Sequence, residues 1–132
     1  MPNYSPKYSY IRIYADSDGE SHYEDVVGDM VSTDFAPPAP PTHTGGAHDV
    51  SQSIFFSAPA GWEGEWHPAP ARQFMLILKG QFTVQVSDGE IRTTNPGDIL
   101  LVEDTTGKGH YTTTPADSEE NLVFVTRLSE DS

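Results

Sequence analysis

His67 lies in "GWEGEWHPAPARQFMLILKGQ", residues 61–81, between a glycine-tryptophan turn and an apolar run that begins at Gln73. An imidazole changes charge close to neutral pH, so at such a position it could pass a proton or ligate a divalent cation. The chain has no cysteine, which removes thiolate metal sites, cysteine nucleophiles and a disulfide framework. Histidine and the acidic residues therefore carry any acid–base or metal chemistry. His110 stands in a second stretch of interest, "NPGDILLVEDTTGKGHYTTT", residues 95–114. His22, beside the acidic "YEDVV", has no spacing partner and is set aside, because a lone histidine is more often structural than functional.

The spacings connect the two stretches. Gly61 is followed after five residues by His67, after one more by Ala69, after three by Gln73 and after six by Gly80. The second stretch supplies Pro96-Gly97-Asp98, an apolar strand and then His110. Together they resemble the two motifs of the cupins, small proteins of the RmlC-like barrel superfamily, over Gly61 to Thr114. The resemblance implies an all-β double-stranded β-helix, or jelly-roll barrel, with its ligands converging from adjacent strands. It also implies a metal site formed by His67, Gln73 and His110, and a bound iron, manganese, nickel or zinc ion. The departures are specific. Ala69 replaces the second histidine of the first motif, Gln73 replaces its glutamate, and Thr114 stands where an asparagine often follows the second-motif histidine.

Two imidazoles and an amide oxygen can hold a divalent cation, more weakly than a set that includes a carboxylate. The same residues also suit a metal-free pocket in which Gln73 forms hydrogen bonds and the two histidines act as acid and base. His43 and His48 flank a Gly45-Gly46 turn and would supply a replacement ligand if their segment folded over the barrel mouth. Trp62 and Trp66 are either a stacking wall for a planar ligand or ordinary core. Alternation points Arg72 out of the barrel, towards a salt bridge at a subunit interface. Alternation in "DILLVED" puts Ile99, Leu101 and Glu103 on one face. If that face lines the barrel, Glu103 enters an apolar pocket with a raised pKa and becomes a catalytic acid or base; otherwise it is solvated or pairs with Lys108. "TTGKG" lacks the earlier glycine of a phosphate-binding loop.

These side chains need strands to position them. "YSYIRIY" alternates polar and apolar residues, and "SQSIFFSA", "QFMLILKG", "QFTVQVS", "EIRTT", "DILLVED", "GHYTTT" and "NLVFVTRL" are short, rich in aromatic and β-branched residues and separated by Gly, Pro or Asp. No segment has a helical pattern. Asp88-Gly89 predicts a two-residue hairpin turn with both central residues at positive φ. Period two puts Gln73, Met75 and Ile77 on one face and Phe74, Leu76 and Leu78 on the other, so both faces must be covered. "FAPPAPPTHTGGAH" has four prolines and is an extended crossing segment.

At 132 residues the chain is sized for one domain. Residues 1–48 are read as N-terminal strands and the Pro-rich crossing segment, and 49–132 as the cupin barrel. Seven Lys and Arg against twenty Asp and Glu give a net charge of −13, which excludes nucleic acid and anionic membrane as partners. No stretch approaches the roughly 18 apolar residues of a membrane span, and no secretory signal is legible, so a cytoplasmic location is expected. A small organic molecule and a second copy of the chain, in a homodimer, are the expected partners. The sequence leaves open a metal-dependent dioxygenase, isomerase or lyase and a non-catalytic or metal-free binding or sensing module.

Overall fold

A computed structural model describes residues 4–130. Eleven strands are found among them and no helix: β1 (Lys7–Ala15), β2 (Ser21–Asp29), β3 (Val31–Thr33), β4 (Thr42–Thr44), β5 (Val50–Ala58), β6 (Gln73–Lys79), β7 (Phe82–Val86), β8 (Ile91–Thr94), β9 (Ile99–Val102), β10 (His110–Thr113) and β11 (Asn121–Leu128). There is accordingly no helix long and apolar enough to cross a membrane. A six-stranded sheet in the order β2-β1-β9-β6-β11-β5 faces a three-stranded sheet in the order β10-β7-β8, and β3 and β4 form a small ribbon of their own. The arrangement is of the jelly-roll type implied by the two motifs, with facing sheets that do not close into a complete barrel.

Alternation builds the core. Ile13, Leu100, Val102, Ile77, Val123 and Val125 are buried on the six-stranded sheet, and Phe82, Val84 and Val86 are buried on β7 opposite them. Met75 packs against both resulting clusters. Each such side chain contributes roughly 1.5–3 kcal/mol by leaving water, which makes the inward phase of these strands hard to shift by one residue. On β9 the inward residues are Leu100 and Val102, the opposite phase to the one that would bring Glu103 inside.

β1 crosses back to the other half of the chain and pairs in parallel with β9, Ile13 opposite Val102. Its antiparallel partner β2 is an edge strand that the sequence did not reveal. "SHYEDVVGD" is mostly polar, and only Ser21 and Tyr23 in it are buried. The Tyr23 hydroxyl donates to the Val84 carbonyl at 2.7 Å, joining this edge to the second sheet.

The hairpin at Asp88-Gly89 forms between β7 and β8, but its loop has three residues. Gln85 opposes Ile91, Val86 N–H donates to the Glu90 carbonyl at 3.0 Å, and only Gly89 has positive φ, at 104°. Ser87 adds one residue to the turn, and the chain takes the three-residue loop that ends on a left-handed glycine. Gly80, which closes the first motif, adopts φ 72°, and a Cβ there would lie 2.2 Å from Oδ1 of the fully buried Asn121. That oxygen accepts hydrogen bonds from Gln81 N–H and the Ser118 hydroxyl.

Candidate functional site

The segment from Gly61 to Arg72 is not a regular strand, yet it runs antiparallel to β10. Gly64 N–H donates to the Thr112 carbonyl at 2.8 Å, and Thr114 N–H to the Trp62 carbonyl at 3.0 Å. His67 and His110 exchange both backbone bonds, at 3.2 and 3.0 Å, as a directly opposed pair. The close approach depends on Gly109, at φ 75°, where a Cβ would sit 2.0 Å from the His67 carbonyl oxygen. Ser21 fastens the same glycine from β2, its hydroxyl donating to the Gly109 carbonyl at 2.6 Å. Thr114, at the family's asparagine position, accepts from Trp62 N–H and donates to the Pro59 carbonyl, so it shapes this segment and takes no place in the cavity wall.

The two rings lie 5.0 Å apart between centroids, tilted by 55°. His110 is 8% exposed, and its Nδ1 lies 2.6 Å from Oδ2 of Asp104, which is completely buried. The Nδ1 of His67 lies 2.9 Å from the Glu65 carbonyl oxygen. Both partners are acceptors, which assigns the proton on each ring to Nδ1 and leaves each Nε2 without a protein partner among the described residues. A carboxylate behind an imidazole fixes its tautomer and orientation in both general-base and metal sites. The other carboxylate oxygen of Asp104, Oδ1, is buried without a hydrogen-bond partner among the described residues.

Both imidazoles border a cavity of about 440 Å³ between the sheets. Met75, Ile77, Leu100 and Val102 form one apolar wall, with Phe82 and Val84 opposite and Phe56 and Trp62 beside them. Ala69 lies in the lining too, and a methyl group occupies the place of the family's second imidazole. Gln73 reaches the same cavity from β6, as its phase predicts, and is 7% exposed. It stands opposite Arg127 of β11, whose Nε donates to Gln73 Oε1 at 3.1 Å. The cavity thus collects His67, Gln73 and His110, the three residues singled out in the sequence.

It does not collect Glu103. β9 ends at Val102, and the Glu103 side chain lies outside the cavity, with Oε1 at 2.6 Å from Arg12 Nε and Oε2 at 2.7 Å from Arg72 Nε. Burial alone would raise its pKa, but the hydrogen bonds and charges of the two arginines outweigh burial and hold the carboxyl below its usual range. The apolar environment and raised pKa that an inward-facing Glu103 would have had are corrected: the side chain is paired with two arginines outside the cavity. Lys108 pairs with Glu20 instead. Arg72 makes its salt bridge within the chain. His48 packs on Phe74, on the outer side of the sheet, and His43 on Tyr4, so neither replaces Ala69 as a cavity residue. Of the tryptophans, Trp62 borders the cavity, while Trp66 is 46% exposed and stacks on Tyr111.

Two site residues were missed. Arg127 was legible in principle, because "VFVTR" places Val123, Val125 and Arg127 in one phase, and the two valines are buried. Asp104 gave no periodic signal, since it follows the end of β9 in a turn-rich stretch.

No protein-family model matches the chain, and no curated protein does. Several solved structures are similar in fold. The cupin domain of Cnp3 from Schizosaccharomyces pombe aligns over 97% of this chain and 87% of its own, at 15% identity and a TM-score of 0.46. An RmlC-like cupin from Shewanella frigidimarina aligns over 90% and 86%, at 18% identity and 0.44. Protein NMB1881 from Neisseria meningitidis aligns over 63% and 83%, at 14% identity and 0.42.

Proposed function

We propose that this chain is a small-molecule binding protein of cupin architecture that takes a mostly apolar organic ligand into the cavity, with the His67–His110 pair at its polar wall and no resident metal. The observation that carries this reading is a cavity that joins an extensive apolar lining to two imidazoles whose Nδ1 atoms are held by acceptors and whose Nε2 atoms are left for a ligand. The Asp104–His110 pair makes that wall a proton acceptor of fixed orientation, which serves hydrogen bonding to a ligand and proton transfer from it alike.

The metal expected from the family resemblance meets a donor set that fits in part. Both imidazoles are suitable. Gln73 is not, because its oxygen accepts from a guanidinium, and a divalent cation on that oxygen would face a fixed positive charge. Two unit charges about 4 Å apart repel by about 4 kcal/mol at an effective dielectric constant near 20.

Titration with N-phenyl-1-naphthylamine, a neutral apolar fluorophore, tests the cavity. One saturable site with enhanced emission is expected, lost in Ala69→Phe, which fills the lining. Binding that ignores Ala69→Phe would overturn the reading. Metal analysis of protein purified without added metal tests the other half, and near-stoichiometric iron, manganese, nickel or zinc would sink it.

The outer side of the six-stranded sheet supports the expected homodimer. Phe55, Phe124, Leu76 and Ile99 lie opposite one another across four adjacent strands, and Phe55 is 67% exposed. Tyr8, Tyr10 and the Gly45-Gly46 turn border only part of this face, and a second copy would cover the remainder. Light scattering at micromolar concentration is expected to give twice 14.5 kDa.

A further inference from the structure

Arg127 differs from every other basic side chain of the protein. Lys7, Arg12, Arg72, Lys79, Arg92 and Lys108 each pair with a carboxylate, as twenty Asp and Glu against seven Lys and Arg would lead one to expect. The side-chain partner of Arg127 is an amide, that of Gln73, and both residues border the cavity. A glutamate at position 73 would neutralise it. The glutamine leaves the positive charge of the half-buried Arg127 without a carboxylate at a cavity lined mainly by apolar side chains, where an anionic group of a ligand would pair with it.

We propose that Arg127 and Gln73 form a carboxylate-binding subsite, and that the ligand is a small organic monocarboxylate whose apolar body fills the cavity. This rests on the cavity reading given above. The guanidinium fork matches a carboxylate in geometry. Because Gln73 Oε1 accepts from Arg127 Nε, the amide N–H groups are the part of Gln73 left to donate to the ligand. One positive charge balances one carboxylate, whereas a phosphate monoester, near −2, would leave uncompensated charge beside Met75, Val102 and Val125. The ligand's body is apolar because the walls offer Ile54, Phe56, Trp62, Ile77 and Phe82.

Calorimetric titration of the full chain with octanoate, octanamide and octylamine tests the assignment. Octanoate is expected to bind about tenfold or more tightly than octanamide, as a charge-assisted pair replaces a neutral one, and octylamine least well. The preference should vanish in Arg127→Met and persist in weakened form in Arg127→Lys. Gln73→Glu retains the arginine but neutralises it, so it should abolish the preference too, and it decides the matter if Arg127→Met fails to fold by circular dichroism. Equal binding of octanoate and octanamide by the parent, or a preference that survives both Arg127→Met and Gln73→Glu, overturns the carboxylate subsite while leaving the apolar cavity standing. Failure of all three probes to bind overturns the cavity reading and the subsite with it.

Discussion

His110 and His22 are built from the same parts and do different things. Each imidazole is held by aspartate, His110 by Asp104 at 2.6 Å, and His22 by Asp16 at 2.6 Å and Asp88 at 2.9 Å. At His110 one ring nitrogen is engaged and the ring borders a cavity, so the other nitrogen can meet a ligand. At His22 both nitrogens are engaged by carboxylates from two surface turns, and the ring lies near the surface with nothing left to offer. The difference teaches that a histidine–aspartate pair marks a functional site only where a nitrogen remains free and faces a space that a ligand can enter. The first pair is a buried fixture of the cavity wall, and the second is a clamp between the β1–β2 turn and the β7–β8 hairpin.

The contrast breaks most severely at Gly109. A Cβ there must move 2.0 Å contacts with the His67 backbone and adopt φ 75°, so Gly109→Ala is expected to cost about 3 kcal/mol or more and to separate the two cavity imidazoles. Denaturant unfolding and loss of N-phenyl-1-naphthylamine binding would register it. His22 lies on the far side of the Ser21 bond and should keep its aspartates, which an unchanged proton spectrum of that imidazole would show. A variant as stable as the parent would mean that the His67–His110 pairing is looser than described.

Removing the aspartates compares the two sites directly. Asp104→Ala leaves His110 Nδ1–H buried without its acceptor, and about 1–3 kcal/mol of stability should go with it. The orphaned Asp104 Oδ1 also disappears, which places the expected loss towards the lower end of that range. Asp88→Ala at the exposed clamp should leave the unfolding midpoint unchanged at neutral pH within error, because exposed ion pairs are screened by solvent and salt. Equal losses at the two positions would abolish the distinction between fixture and clamp.

The sequence carried the cavity further than its surroundings. Phase alone put Gln73, Met75 and Ile77 on one face, and the motif resemblance brought Gln73 to one place with His67 and His110, because both signals are local. Glu103 failed for the same reason that they succeeded. Counting by two from Ile99 is legitimate along β9, but whether odd or even residues face inward is decided by β1 and β6 on either side, through Ile13 opposite Val102 and Met75 opposite Leu100. Nor could local pattern show that Glu103 meets Arg12, 91 positions away, or that His22 meets Asp88 from the next hairpin. Such partners depend on sheet order, which no short stretch encodes.

The smallest expected effect is the pH dependence of the clamp. Hydrogen bonds donated to Asp16 and then to Asp88 raise the pKa of His22 above 6.5, so its stabilising contribution is complete below that value and fades as pH rises through the folded pKa. The aspartates shift the other way. The hydrogen bond with His22 chiefly lowers Asp16, and the backbone of Glu90 chiefly lowers Asp88, so their contributions are complete above 3.8 and fade as pH falls through their folded values. The clamp should therefore be strongest between about pH 4 and 6.5, where the imidazolium and both carboxylates coexist in either state of the chain. Comparing the unfolding midpoints of the parent and His22→Gln across pH 3–9 should give a small difference that peaks inside that window and narrows on both sides. A difference that instead grew steadily towards pH 9 would mean that neutral His22 supports the two turns by packing against Tyr14, 5.5 Å away, and that the carboxylates are incidental.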